Sequence, residues 1–104
     1  MNMYATIEDS TLKLKGSEKW IPQVSEAISL CVRSGGILHA VLRRREHHFT
    51  RYGYFNEYWQ VEAIEYSGMM TMSDLVAVIT KKLSDISVVL KMVSLDAFLN
   101  AREN

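Results

Sequence analysis

The sequence predicts one α+β domain over residues 1–104, with a ferredoxin-like β-α-β-β-α-β order and a short C-terminal helix. In this arrangement one antiparallel sheet carries both long helices on one face. Two observations support the prediction. Apolar residues alternate along short segments, as in half-buried strands, and recur about every three or four residues in two longer segments, as in amphipathic helices. With one proline and five glycines, few positions favour long loops.

The N-terminal residues predict two short strands, residues 3–7 and 11–15. In the second, Leu12 and Leu14 alternate with Lys13 and Lys15, which gives a buried face and a wet face. The two strands form a hairpin around residues 8–10, or the first is a loose leader.

The next segment predicts a helix and then a central strand. Pro22 fits the first helical position, where its missing N–H costs least, so the helix begins near Ile21. It ends at residues 34–36, because glycine tolerates the left-handed conformation that closes many helices. Residues 37–45 form this strand, in which Ile37, Leu38, Ala40, Val41 and Leu42 supply apolar groups to both faces, as a central strand requires. The inward stripe of the helix is Trp20, Val24, Ala27, Ile28, Cys31 and Val32.

The second half predicts a turn region at residues 47–53, a long strand at 54–66, a second helix, a strand at 88–93 and a third helix. Thr71 or Ser73 caps the second helix, and Ser94 caps the third. Alternation along the long strand separates Trp59 and Val61 from Tyr58 and Gln60. The residues predicted to face inward from the two helices are Met72, Leu75, Val76, Ile79, Leu83, Ile86, Leu95, Phe98 and Leu99.

The composition argues against several classes of protein function. Twelve basic and twelve acidic residues cancel, which argues against a dedicated duplex-DNA binder, because phosphate neutralisation dominates the affinity of such proteins. The single cysteine, Cys31, excludes an intramolecular disulfide and favours a reducing, cytoplasmic location. The first ten residues predict no signal peptide, and no apolar run approaches the roughly 18 residues of a membrane span.

The most informative segment is residues 43–59, RRREHHFTRYGYFNEYW, where arginines and aromatic residues concentrate in a chain with no net charge. Tyrosine, tryptophan and arginine dominate protein-binding hot spots. The alternative is that Arg43, Arg44 and Arg45 end a strand and pair with Glu57, Glu62 and Glu65 opposite, while the aromatic residues belong to the core. The predicted partner-binding residues are Arg43, Arg44, Arg45, His47, His48, Phe49, Arg51, Tyr52, Tyr54 and Tyr58.

No pattern predicts a catalytic residue, a metal site or a cofactor. His47 and His48 are adjacent in sequence, so in a strand they point to opposite faces and chelate poorly. Zinc requires three or four ligands, and Cys31 lies among apolar residues of a predicted helix. Phosphate loops, nucleophile elbows and dinucleotide fingerprints are absent from the sequence.

Residues 85–98, DISVVLKMVSLDAF, run from a strand directly into a capped helix. This pattern resembles the C-terminal part of GhoS-type antitoxins, which share a fold with small CRISPR-associated nucleases. The resemblance implies an RNA-binding or RNA-cleaving domain and transfers no catalytic residue. The residues themselves favour a non-enzymatic interaction module, a regulator or inhibitor that docks on another protein and can pair with itself as a homodimer through a free edge strand.

Overall fold

The computed structural model describes residues 1–49, 54–67 and 70–101, and leaves the side chains of residues 47–49, 54–56, 63 and 64 undescribed. A short 3-10 turn, Glu18–Trp20, precedes the first helix. The strands and helices in chain order are β1 Asn2–Glu8, β2 Thr11–Lys15, α1 Ile21–Arg33, β3 Ile37–Phe49, β4 Tyr54–Tyr66, α2 Met72–Ser84, β5 Val89–Met92 and α3 Leu95–Asn100.

The described strands form one mixed sheet in the order β3-β4-β2-β1-β5. The α+β class is confirmed, but the purely antiparallel sheet is wrong, because β1 and β5 are parallel. The hairpin alternative for the N-terminus explains the difference. Asp9 and Ser10 adopt φ values of 50° and 62°, which suit a tight two-residue turn, and fold β1 back beside β2. β1 therefore lies beside β2, and β5 joins the sheet on the other side of β1.

Helices α1 and α2 cover one face of this sheet. Their inward residues share one apolar core with the alternating residues of the central strands. We call this the helix face. The fully or almost fully buried side chains between the helices and this face include Met3, Leu12, Leu14, Val24, Val61, Leu75, Ile79 and Leu83. The opposite face, which we call the outer face, is partly covered by α3, whose Phe98 meets Tyr58.

Local signals in the sequence account for the helix ends. Pro22 lies in the first turn of α1. At the other end Gly35 has φ of 78°, and the N–H groups of Gly35 and Gly36 donate to the carbonyls of Val32 (3.0 Å) and Cys31 (2.9 Å), which is a Schellman motif.

The cap of α2 is Thr71, whose hydroxyl accepts from the N–H of Asp74 at 3.3 Å. The Asp74 carboxylate accepts in return from the Thr71 N–H at 2.9 Å. This reciprocal pair is a capping box. Of the two predicted caps, Thr71 is therefore confirmed.

Several predicted details are wrong. The turn region does not begin at residue 47, since His47, His48 and Phe49 continue β3 opposite Asn56, Phe55 and Tyr54. Three side chains predicted to face inward are exposed: Val32 (39%), Ile86 (40%) and Leu95 (37%). Ile86 lies beyond Ser84, the last residue of α2, so the helical periodicity that placed it inward no longer applies.

Candidate interaction surface

The hairpin of β3 and β4 extends beyond the rest of the sheet. Among the described residues, β2 pairs with β4 only at Trp59, Gln60 and Val61, whereas β3 and β4 remain in register out to Phe49 opposite Tyr54. We call residues 43–49 and 54–60 the arm. Its base is attached to β2, and within the described residues its distal strands pair only with each other. The distal pairs of the arm, from His47 opposite Asn56 to Phe49 opposite Tyr54, thus lie beyond the last residue pair between β2 and β4.

Arg43 and Arg45 lie on the outer face of the arm, opposite Gln60 and Tyr58 in register. Both contact the same carboxylate. Arg43 Nε is 3.0 Å from Glu62 Oε2, and Arg45 Nε donates to Glu62 Oε1 at 2.8 Å. Their side chains are still 56% and 47% exposed. Two guanidinium groups therefore share one negative charge and leave one positive charge in excess.

Arg44 lies on the helix face, opposite Trp59. Its Nη1 donates to Glu18 Oε1 at 2.6 Å, and its Nη2 donates to Glu57 Oε2. The guanidinium carbon is 5.9 Å from the centre of the Trp59 ring, within the range of a cation–π contact. Arg44 thus ties the arm to the turn that precedes α1.

The described ion-pair groups on the two faces carry opposite net charge. Glu46 is opposite Glu57 in register and therefore shares the helix face with it. Arg44 with its partners Glu18 and Glu57 gives a net charge of minus one, whereas the outer-face group of Arg43, Arg45 and Glu62 gives plus one. A small cleft of about 80 Å³ lies between the arm and the segment after β2, and its lining comprises Gly16, Glu18, Arg44, Glu57, Tyr58 and Trp59.

Tyr58 is placed differently from the arginines. Its side chain is 9% exposed, and its ring meets Phe98 edge-on with centroids 5.9 Å apart. Lys13 Nζ lies 5.4 Å from the same ring. Contacts within the protein therefore occupy most of the Tyr58 surface and leave little of it for a partner.

Lys15 is the feature that sequence reasoning missed. It is 3% exposed, although alternation along β2 placed it on a wet face. Its Nζ donates to the carbonyl oxygens of Phe98 (2.7 Å), Leu99 (3.2 Å) and Ala101 (3.1 Å), at the end of α3. The same Nζ lies 5.2 Å from the Phe98 ring. A cation at a helix C-terminus is favourable, because the unpaired carbonyls carry partial negative charge.

The remaining predicted residues fall wholly or partly outside the description. His47, His48, Phe49 and Tyr54 belong to the paired strands of the arm, but their side chains are not described. Arg51 and Tyr52 lie outside the described residues altogether.

Among the described side chains, no group of three or more histidine, cysteine or acidic residues could hold a metal ion. Burial raises the pKa of the Cys31 thiol, which disfavours the thiolate that a nucleophile needs. Burial, and to a lesser extent the nearby Cys31, also raises the pKa of Tyr66.

Comparison with protein-family models, with curated proteins and with solved structures finds no match. No helix in residues 1–49, 54–67 and 70–101 has the length and apolar character needed to cross a membrane.

Proposed function

We propose that this protein is a small non-enzymatic interaction module, a regulator or inhibitor that docks on another protein through the arm. The observation that supports this most directly is the pairing of β3 with β4 beyond the end of β2. A two-stranded ribbon is only marginally stable by itself in water, so an arm of this kind gains from a partner that covers it. The concentration of arginine and aromatic residues on this arm suits such a contact.

The ion pairs favour a protein partner over RNA. Arg43, Arg44 and Arg45 each already contact glutamate. A phosphate chain carries a negative charge at every nucleotide, so it would meet Glu18 and Glu57 around Arg44 as well as the outer-face arginines, at a cost in repulsion. A protein surface can instead supply acidic groups to the outer face and apolar groups to the aromatic residues. RNA binding remains the alternative that the same experiment tests.

A shortened arm provides the test. Glu46 and Glu57 are opposite each other, so an Asn-Gly turn can replace residues 47–56 and close the hairpin between them. This variant removes the distal residues and keeps Arg44, its partners Glu18 and Glu57 and every described core residue. We expect its melting temperature to stay within about 5 °C of the wild type, since no described buried side chain is lost.

The readout is cross-linking and affinity capture from the native host, followed by mass spectrometry, with the wild type and the shortened-arm variant as baits. A partner protein retained by the wild type and lost from the variant supports the proposal. The same proteins captured equally by both baits would exclude residues 47–56, the distal part of the arm, as the docking element. Binding of a mixed single-stranded RNA pool that weakens steeply with salt would favour the alternative.

A further inference from the structure

The outer edge of β3 is open along the arm. β3 is the first strand in the sheet order, and within the described residues only β4 pairs with it. The N–H and C=O groups on its other side therefore form a template for one more strand. Proteins that recognise extended segments commonly use such an edge, with backbone hydrogen bonds giving affinity and alternate side chains giving specificity.

The charges beside this edge repeat with a period of two. Arg43 and Arg45 lie on the outer face and share the Glu62 carboxylate. Arg44, between them, faces the other way and is held by both Glu18 and Glu57. An added strand would place successive side chains next to these three positions in turn. Acidic residues beside Arg43 and Arg45 would give each guanidinium a carboxylate of its own.

The middle position has the opposite preference. An acidic residue beside Arg44 would lie near Glu18 and Glu57, so an uncharged residue is favoured there. The complementary sequence is therefore acidic, uncharged, acidic. Two adjacent acidic residues point to opposite faces of a strand, so only one of them can reach the outer face.

We propose that the edge of β3 at residues 43–45 receives an extended segment of the partner protein as an added strand, with two acidic residues separated by one uncharged residue. This inference rests on the proposed function, because it names the segment that the arm recognises. It does not rest on the distal residues of the arm, so the two proposals can fail separately.

The test uses short capped peptides of threonine and valine that carry two glutamates. The first peptide contains the order Glu-Thr-Glu. The matched control has the same composition and charge, but its two glutamates are adjacent. In a third peptide, lysines replace the two glutamates. Titration into isotope-labelled protein is followed by NMR. We expect the Glu-Thr-Glu peptide to shift the amide signals of residues 43–46 and to bind about two- to fivefold more tightly than the adjacent-glutamate control, the value of one exposed ion pair. The lysine peptide should bind at least about tenfold more weakly, since it meets two like charges.

Protein variants locate the contact. Arg43→Gln with Arg45→Gln removes both outer-face charges and should abolish the preference for Glu-Thr-Glu over adjacent glutamates. Arg33→Gln with Lys81→Gln removes the same charge from exposed positions on the helices and should leave the preference intact.

Equal binding of the two acidic peptides, or no binding of either, would overturn the strand-addition proposal. The proposed function would still stand if the shortened-arm variant lost its partner. Both proposals would be overturned if the partner were captured by the shortened-arm variant and by the variant with Arg43→Gln and Arg45→Gln, and if the second variant also kept its preference for Glu-Thr-Glu.

Discussion

Removal of the Lys15 charge is expected to release α3 from the outer face of the sheet. The Lys15→Met variant keeps most of the aliphatic stem and deletes the group that donates to the carbonyls of Phe98, Leu99 and Ala101. Each hydrogen bond to a charged group contributes about 1.5–3 kcal/mol net. The three values do not add, because α3 can leave the surface and hydrate its carbonyls.

The free energy that α3 docking contributes therefore sets the upper limit. Phe98 is fully buried against Tyr58, and Phe98→Ala should cost about 3–5 kcal/mol, as expected for a buried aromatic side chain. Lys15→Met should then cost about 2–3 kcal/mol, below that limit. Because Phe98→Ala already releases α3, the further loss of Lys15 removes no additional contact, and the double variant should cost about as much as Phe98→Ala alone. The coupling energy is about 2–3 kcal/mol, near the top of the range for interacting residues.

Urea denaturation of the wild type, both single variants and the double variant measures this coupling. Hydrogen exchange at the amides of residues 97–100 reports directly on α3. Lys13→Met is the matched control, since Lys13 lies on the same strand and face and pairs with Glu8 at 3.1 Å in a partly exposed site. It should cost no more than about 1 kcal/mol. Additive costs for Lys15→Met and Phe98→Ala, or a Lys15→Met effect no larger than the control, would refute the assignment of Lys15 as the residue that holds α3.

Three further predictions concern local features. Because burial raises the pKa of Cys31, the folded state keeps the thiol proton to higher pH than the unfolded state does. The free energy of unfolding, measured by urea denaturation, should therefore fall as pH rises above about 8.5. The fall should be less steep in Cys31→Ala. Thr71→Ala removes half of a capping box and should cost about 1 kcal/mol by thermal denaturation, whereas Thr80→Ala in the middle of α2 should be close to neutral. Gly35→Ala places a side chain at φ of 78° and should cost about 1 kcal/mol, with no steric contribution, because nothing lies within 4 Å of the added carbon.

Local signals predicted the elements of the fold better than their arrangement. The alternation in β2, the proline in the first turn of α1 and the glycines after it are properties of neighbouring residues, and the structure confirms the elements they predicted. The place of β1 between β2 and β5 depends on which strands meet in space, and alternation does not encode that choice.

The arginines and Lys15 show the same limit at the candidate site. The alternative pairing of Arg43 and Arg45 with Glu62 could be predicted, because both strands belong to one hairpin whose register places them together. The contact of Arg44 with Glu18 could not, since Glu18 comes from the turn before α1. Lys13 and Lys15 occupy equivalent positions in the sequence pattern. Only the return of α3, more than 80 residues later, buries one of them and leaves the other partly exposed.

The charge pattern of the arm also decides which kind of partner suits its edge. If two copies paired antiparallel through β3 about Arg44, Arg43 of each copy would lie beside Arg45 of the other, and like charges directly opposite each other are destabilising. This repulsion opposes homodimerisation through residues 43–45, whereas the acidic segment proposed above would not meet it. Arg43→Glu replaces this repulsion with attraction, because the introduced carboxylate of each copy would lie beside Arg45 of the other, which gives two such pairs in a symmetric dimer. We expect this variant to self-associate more strongly than the wild type in sedimentation velocity at low salt, and the difference to shrink as salt screens the new pairs. Equal self-association of Arg43→Glu and the wild type would mean that the charges at these positions do not affect pairing through the edge of β3.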